Sequence, residues 1–315
     1  MIRVSANPAT QPYLPPCSAS PVEDEYQKGR VFRKQGELLQ AFVSTQYAAE
    51  KGHLEAQFQL ACCYRKGEGT AIDETKAEEW YRKAAEQGHA NGQLSLGVCY
   101  EQGRGVVQDP KEALNWYRKA AEQGLAEAQF IIGYCYEQGQ GVAQNEKEAA
   151  SWYQKAAEQG LAEAQFNLAI SYENGQGVDK SQKEAIYWYR KAAEQEHAQA
   201  QYNLGHYLAK EIERTKEAVT WFRKAAEQGH PHAQYILGFC YLNGQGVESD
   251  QTEAVEWFRK AAEQGNDEAQ FNLASCYLHG QGVKKDEKEA VKWFQKAAES
   301  PEKLESLSPT NANIK

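Results

Sequence analysis

The sequence runs to 315 residues, 41% apolar and 25% charged, which is the balance of a folded chain and excludes wholesale disorder. Its 44 acidic residues outnumber 35 basic ones, and a formal charge of −9 without a basic cluster argues against nucleic acid as the main partner. No stretch approaches the ~18 apolar residues of a membrane helix, and seven cysteines in so long a chain do not suggest a disulfide scaffold.

In chain order, residues 1–22 come first. They hold five of the nine prolines, lack an apolar run and a basic start, and read as a disordered leader without a signal peptide. Residues 23–52 half-match the units downstream of them. Tyr47-Ala48-Ala49-Glu50-Lys51-Gly52 echoes the end of a repeat, and the segment is expected to act as a degenerate N-terminal cap. From residue 53 the chain repeats itself. Trp80, Trp116, Trp152, Trp188, Trp221, Trp257 and Trp293 are spaced 36, 36, 36, 33, 36 and 36 residues apart, each in a phrase such as Trp80–Gly88. This spacing divides the chain into seven units: 53–88, 89–124, 125–160, 161–196, 197–229, 230–265 and 266–301. A period this regular predicts a solenoid rather than a multidomain enzyme. Residues 302–315 form a polar tail.

Each unit reads as two helices. In 89–124, residues Leu94, Leu96, Val98, Cys99 and Tyr100 keep helical spacing, and Gly103 and Gly105 then break the helix. Asp109 is the predicted cap of the second helix, with Pro110 in its first turn and Glu112 where a capping box needs an acid. The same pairing recurs at Asn145/Glu148, Ser181/Glu184, Asp250/Glu253 and Asp286/Glu289. Glycine ends the second helix except at Glu196, and Pro301 stops the last one. One hairpin cannot bury its own tryptophan. Burying such a ring between helices removes roughly 200 Å² from water, at most about 5 kcal/mol, so the tryptophans read as glue between stacked pairs.

Unit 125–160 carries Ala128, Ile132, Gly133, Tyr136, Gly139-Gln140-Gly141-Val142, Ala149, Trp152, Lys155-Ala156-Ala157 and Gly160. This pattern resembles the Sel1-like repeat, a relative of the tetratricopeptide repeat with a longer loop between helices. The resemblance covers residues 53–301. It implies an all-α, right-handed superhelical solenoid of antiparallel helix pairs, whose first helices line a concave groove. Family members of this kind are mostly adaptors that hold partner proteins. Unit 197–229 departs from the pattern: Ala209-Lys210-Glu211-Ile212 replaces the Gly-x-Gly-Val turn, three loop residues are missing, and a different bend is expected there.

Comparing the repeats with one another locates the variable face. The first helix varies at four places spaced 4, 3 and 4 residues apart, one stripe along one face. The stripe supplies the candidate partner-binding residues Ile131, Tyr134, Asn167, Asn203, His206, Ile236, Phe239 and Asn272. The asparagines suit hydrogen bonds to a peptide backbone. The pairs Ile131/Tyr134 and Ile236/Phe239 suit apolar anchors or, equally, packing against neighbouring helices. Acidic Glu55, Glu127, Glu163 and Glu268 favour a basic or neutral partner segment.

No catalytic residue, cofactor or metal is expected. His230-x-His232 lacks companions at ligand spacing, and the repeated glycines do not follow a strand. Cys63, Cys99, Cys135, Cys240 and Cys276 share one repeat position and read as buried free thiols in a reducing compartment. The reading is a non-catalytic, cytoplasmic adaptor for a protein or peptide, with no nucleic acid and no membrane insertion. Two alternatives stand beside it: a translocated bacterial effector engaging a host partner, and a hydrolase of the β-lactam-handling kind attributed to some disulfide-bridged relatives, whose cysteine pattern is absent here.

Overall fold

The computed structural model describes residues 20–299. Among these residues are sixteen α-helices, one 3₁₀ turn and no strand. They divide into two compact units, one of residues up to 135 with 139–143, the other of 136–138 with 144 onward. The first unit contains α1 (Pro21–Lys34), α2 (Leu38–Glu50), α3 (Leu54–Lys66), α4 (Glu74–Glu86), α5 (Ala90–Gln102), α6 (Pro110–Glu122) and most of α7 (Ala126–Gln138). The second contains α8 (Glu146–Glu158), α9 (Ala162–Asn174), α10 (Gln182–Glu194), α11 (Ala198–Ala209), α12 (Thr215–Glu227), α13 (Pro231–Asn243), α14 (Gln251–Glu263), α15 (Asp267–His279) and α16 (Glu287–Ala298). Each unit is a stack of consecutive antiparallel helix pairs, the α/α solenoid arrangement.

The termini of the helices follow the local chemistry. α1 begins at Pro21, inside the expected leader, because Ser20 Oγ accepts the Glu23 N–H and proline is preset for a first turn. Residues 1–19 of that leader, and the tail with Pro301, lie outside the described residues. Asp109 Oδ1 accepts from the N–H groups of Lys111 and Glu112, and Asn145, Asp250 and Asp286 cap their helices in the same way. The reciprocal half of the expected capping box does not form. The Asp109 N–H donates instead to the Tyr100 carbonyl in the preceding helix, as Asp73, Asn145, Ser181, Asp250 and Asp286 do to their own tyrosines. That bond fastens the start of the second helix to the end of its first in these repeats and, where an acid stands three residues on, takes up the N–H it would have satisfied.

The core is built of small residues and rings. Ala84, Ala85, Ala120 and Ala121 are at most 3% exposed, which lets the second helices approach closely. The tryptophans are less uniform than predicted. Trp116, Trp221, Trp257 and Trp293 are buried, while Trp80, Trp152 and Trp188 are half-buried. Trp116 clusters with Leu96 and with Tyr81 of the preceding repeat, as Trp257 clusters with Leu237 and with Val219 of the repeat before it. A lysine three residues on lies over each indole but that of Trp188, at 3.6–4.3 Å from the ring centroid.

Two polar ladders join successive repeats within each unit. Gln165, buried on α9, donates through Nε2 to the Ala157 carbonyl of the preceding repeat at 3.1 Å. Its Oε1 accepts from Gln195 Nε2, at the end of α10, at 2.8 Å. Gln57, Gln93, Gln201 and Gln234 make the same two bonds. The second ladder is histidine. His53 Nδ1 accepts the Ala56 N–H while its Nε2 meets Glu23 at 2.8 Å; His89 repeats this with Gly92 and Glu55. His197 and His230 cap α11 and α13 likewise, stacked on Phe166 and Tyr202. A ring that accepts at Nδ1 presents its Nε2 to the side chain of the preceding repeat as a donor.

The inter-helix loops make the remaining seam. A Cβ at Gly105, Gly141, Gly177 or Gly282 would overlap the first-turn carbonyl of the preceding second helix, at Glu74, Pro110, Glu146 or Gln251. Glycine here is therefore required by close backbone approach as well as by a positive φ. In repeat 197–229 no such loop exists; the 3₁₀ turn Ile212–Arg214 runs straight into α12.

Candidate binding site on the first-helix face

The first helices α3, α5, α7, α9, α11, α13 and α15 carry the variable stripe. Its third place holds half-buried or exposed side chains throughout, among them Tyr134 (41% exposed), His206 and Phe239 (39%). Its second place, with Ile131, Asn167, Asn203, Ile236 and Asn272, is half-buried. The asparagines are already partly committed. Asn203 Oδ1 accepts from Gln199 Nε2 at 3.1 Å, and Asn272 Nδ2 donates to the Glu268 carbonyl one turn back at 2.8 Å. Glu55, expected to face a partner, instead holds His89 of the next repeat.

In the first unit, Tyr134 lines a cleft of about 590 Å³ together with Glu101, Tyr117 and Cys135. Tyr117 donates to Glu101 Oε2 at 3.2 Å, and burial and the neighbouring carboxylate hold the phenol in its neutral form far above its usual range. Burial likewise pushes the Cys135 thiol up to about 11, so it is no nucleophile at neutral pH. Ile131 lies one turn away and is half-buried.

In the second unit, His206, Ile236 and Phe239 come together on a larger cleft of about 660 Å³. Val219, Phe222 and the 3₁₀ turn complete its wall. His206 lies edge-on to Tyr202 and Phe222, with ring centroids 4.7 and 5.5 Å away. Burial first, then Lys210 and His232, hold its imidazole below the usual range. Asn167, Asn203 and Asn272 do not line this cleft. His230 and His232, the close pair in sequence, are occupied by Gln199 and Asn266. Among the described residues no three His, Cys, Asp or Glu side chains are placed to hold a metal ion, and no described helix is long and apolar enough to cross a membrane.

The cleft has a cause in one repeat position. In three repeats a buried tyrosine donates to a glutamate sixteen residues earlier: Tyr117–Glu101, Tyr153–Glu137 and Tyr189–Glu173. In the last two repeats the tyrosine becomes Phe258 or Phe294 and the glutamate becomes Leu242 or Leu278, polar pair for apolar pair. Repeat 197–229 has Phe222 with only Ala209 at that place. The side chain that covers the ring elsewhere is cut to a methyl, and the loop is short as well. Ala209, Val219 and Phe222 were invisible to the stripe argument; the paired substitution along the chain was the signal that could have found them.

The Sel1 repeat family model matches residues 54–89, 90–125, 126–161, 162–197, 198–230, 231–266 and 267–301. These bounds lie within one residue of those set by the tryptophan spacing. Of the solved structures, the protective antigen c5321 of uropathogenic Escherichia coli strains, described as displaying an SLR fold, is 35% identical. The match covers 88% of this chain and 68% of that one, with a TM-score of 0.67. A Sel1 repeat protein from Oxalobacter formigenes is 34% identical over 91% of this chain and 88% of its own, with a TM-score of 0.70. No curated protein matches. With seven matched repeats over most of its length, the chain belongs to the Sel1 repeat family.

Proposed function

We propose that this protein is a non-catalytic adaptor that holds a protein or peptide segment on its first-helix face. One observation carries the reading. The seams are made by residues that recur in nearly every repeat, whereas the exposed stripe changes chemistry from repeat to repeat and takes little part in the seams. A face whose outward side chains vary along its length, beyond the few that also help to hold the stack, is what an extended partner needs for specific recognition. Burial raises the thiols of Cys99, Cys135 and Cys240 to about 11, so these three are not poised as nucleophiles.

The test is affinity capture with mass spectrometry, the wild type beside a Tyr134→Ala/Asn167→Ala/Asn203→Ala variant of unchanged helicity. A partner held by the wild type and lost from the variant supports the face. A partner retained equally by both moves binding to the second helices, loops or termini. The likeness to a protective antigen favours a second reading, a host-interaction role. Capture from host-cell extract, compared with extract of the producing cell, separates the two.

A further inference from the structure

The helix pair α1–α2 departs from every downstream repeat at two places that face each other. Contacts to the next repeat set the alignment. Glu23 meets His53 as Glu55 meets His89, and the Tyr26 ring lies 4.4 Å from His53 as Phe58 lies 4.7 Å from His89. Arg33 then stands at the place of Glu101, and Thr45 at the place of Tyr117. The tyrosine or phenylalanine that fills this place in all the later repeats is cut back to a threonine. The carboxylate that accepts from that tyrosine in three repeats becomes a guanidinium. A cavity of about 290 Å³ lies there, walled by Tyr26, Arg30, Arg33, Lys34, Thr45 and Gln59.

The wall is complementary to an anion. Arg30, Arg33 and Lys34 bring three positive charges to it, and no carboxylate lines the cavity. The acids around it are turned to other partners. Glu23 holds Gln27 and His53, Glu25 holds Lys28 and Ser44, and Glu55 holds Gln59 and His89. Glu68 lies 3.7 Å from both Arg33 and Lys66, and Glu37 is exposed at the start of α2, outside the wall. Arg33 is fixed in place, donating to Gln59 Oε1 at 2.8 Å and to Cys63 Sγ at 2.9 Å. Among the described residues Arg30 donates only to Gln27, and Lys34 has no ion pair. Two hydroxyls line the same space. Thr45 is 3% and Tyr26 7% exposed, and neither hydroxyl makes a hydrogen bond among the described residues. A buried hydroxyl left without a partner is costly. The uncommitted groups of the wall can all donate, so a ligand that satisfies them brings several acceptor oxygens and more than one negative charge.

Resting on the adaptor reading and deepening it, we propose that this cavity binds a phosphate monoester dianion carried by the partner segment, that is, a phosphorylated side chain. Its three free oxygens take hydrogen bonds from Arg30, Lys34 and the hydroxyls of Thr45 and Tyr26, with Arg33 behind them. A carboxylate offers two oxygens and a single charge to the same wall. Arg30 and Gln59 stand at the stripe places held by Tyr134 and Ile131 in repeat 125–160, so the cavity belongs to the face assigned to the partner.

The probes are three fluorescein-labelled nonapeptides, otherwise uncharged, read by anisotropy on the full chain: one with a central phosphoserine, the same with serine, and the same with glutamate. The first is expected to bind about tenfold more tightly than either of the others. Arg30→Gln/Lys34→Gln, at two exposed side chains, is expected to weaken it about tenfold and to flatten its salt dependence. Thr45→Tyr, which installs the residue found at this place in the next repeat, fills the cavity and is expected to abolish the preference for phosphate. Thr45→Val keeps the shape without the hydroxyl and gives a second reading should Thr45→Tyr disturb folding, with about a threefold loss expected. Equal affinity for the three peptides, binding of none, or binding unmoved by both Arg30→Gln/Lys34→Gln and the Thr45 variants overturns the assignment. Inorganic phosphate that displaces the phosphopeptide at the peptide's own dissociation constant overturns it too, in favour of the free ion. A captured partner lost from the Tyr134/Asn167/Asn203 variant, yet retained by Thr45→Tyr and after phosphatase treatment of the extract, overturns it while leaving the adaptor reading standing.

Discussion

The glutamine ladder makes a sharp prediction at Gln165. The side chain is 4% exposed and works as donor and acceptor at once, giving its N–H to the Ala157 carbonyl and taking one from Gln195. Gln165→Leu keeps the volume and removes both bonds. The Ala157 carbonyl still receives the Gly160 N–H, so the cost is limited to about 1–2 kcal/mol. Gln165→Glu keeps the shape but turns the donor into a second acceptor. It sets a buried negative charge against the carbonyl end of α8, where the helix dipole is also negative. The expected cost at neutral pH is about 3 kcal/mol. Protonation cures it, because a carboxylic acid can donate to Ala157 and accept from Gln195 as the amide does. Burial and the carbonyl both raise the folded-state pKa of the introduced acid above its unfolded value near ~4.3. The variant therefore loses stability as pH rises from that value through the raised one, and its deficit closes on acidification. Urea midpoints by far-UV circular dichroism, with amide exchange in α8 to α10, measure this at about pH 7.5 and about pH 5. If Gln165→Glu is no worse than Gln165→Leu at the higher pH, or if the gap between them persists at the lower, the two-bond reading of the ladder is wrong.

Glu196 holds φ +66° where every other second helix with a described successor ends on glycine, so Glu196→Gly should stabilise its repeat by about 0.5–1 kcal/mol, read as a raised urea midpoint. The two glycines of the 175–177 loop should respond unequally. Gly175→Ala meets the Lys180 side chain at 3.3 Å and no backbone atom closer than 3.6 Å, and should cost about 1 kcal/mol. Gly177→Ala drives a methyl into the Glu146 backbone and should cost about 3 kcal/mol or more by the same assay. Burial holds His197 and His230 below the usual imidazole range, with Glu163 opposing the shift at the first and His232 adding to it at the second. Their contribution is complete above the unfolded pKa near ~6.5 and falls away as pH drops through the depressed value. Replacing both with asparagine, the cap already used at Asn266, should flatten the decline in thermal midpoint between about pH 7.5 and about pH 5.5.

The tryptophan phase made the repeats legible, and with them the helix pairs and the glycine that closes each first helix. Gly67, Gly103, Gly139, Gly175, Gly244 and Gly280 all stand in the left-handed region, as a sequence reader expects of a terminating glycine. What stayed hidden depends on a third dimension. Gln165 looks like any polar residue in a helix until α8 and α10 are placed on either side of it. The half-formed capping boxes are hidden for the same reason, since the competing acceptor is a tyrosine carbonyl nine residues upstream. For the candidate site, the stripe was readable as a face, and three of its residues meet at one cleft. The recess itself was not, because it is made by what is missing: an alanine where neighbours have glutamate or leucine, and three absent loop residues.

The glutamine rungs are indifferent to that absence. Gln195 reaches back 30 residues to Gln165, and Gln228 reaches back 27 to Gln201, yet both bonds are 2.8 Å long. The seams on either side of the short repeat are unchanged as well, Gln201 to Ala193 and Gln234 to Ala226 both at 3.1 Å, so they are insulated from the length of the loop inside each repeat. A lineage can shorten or lengthen that loop, opening or closing a recess on the accessible face, without renegotiating how the stack is held together. Loop length and stacking are thus set by separate parts of the same 36-residue unit.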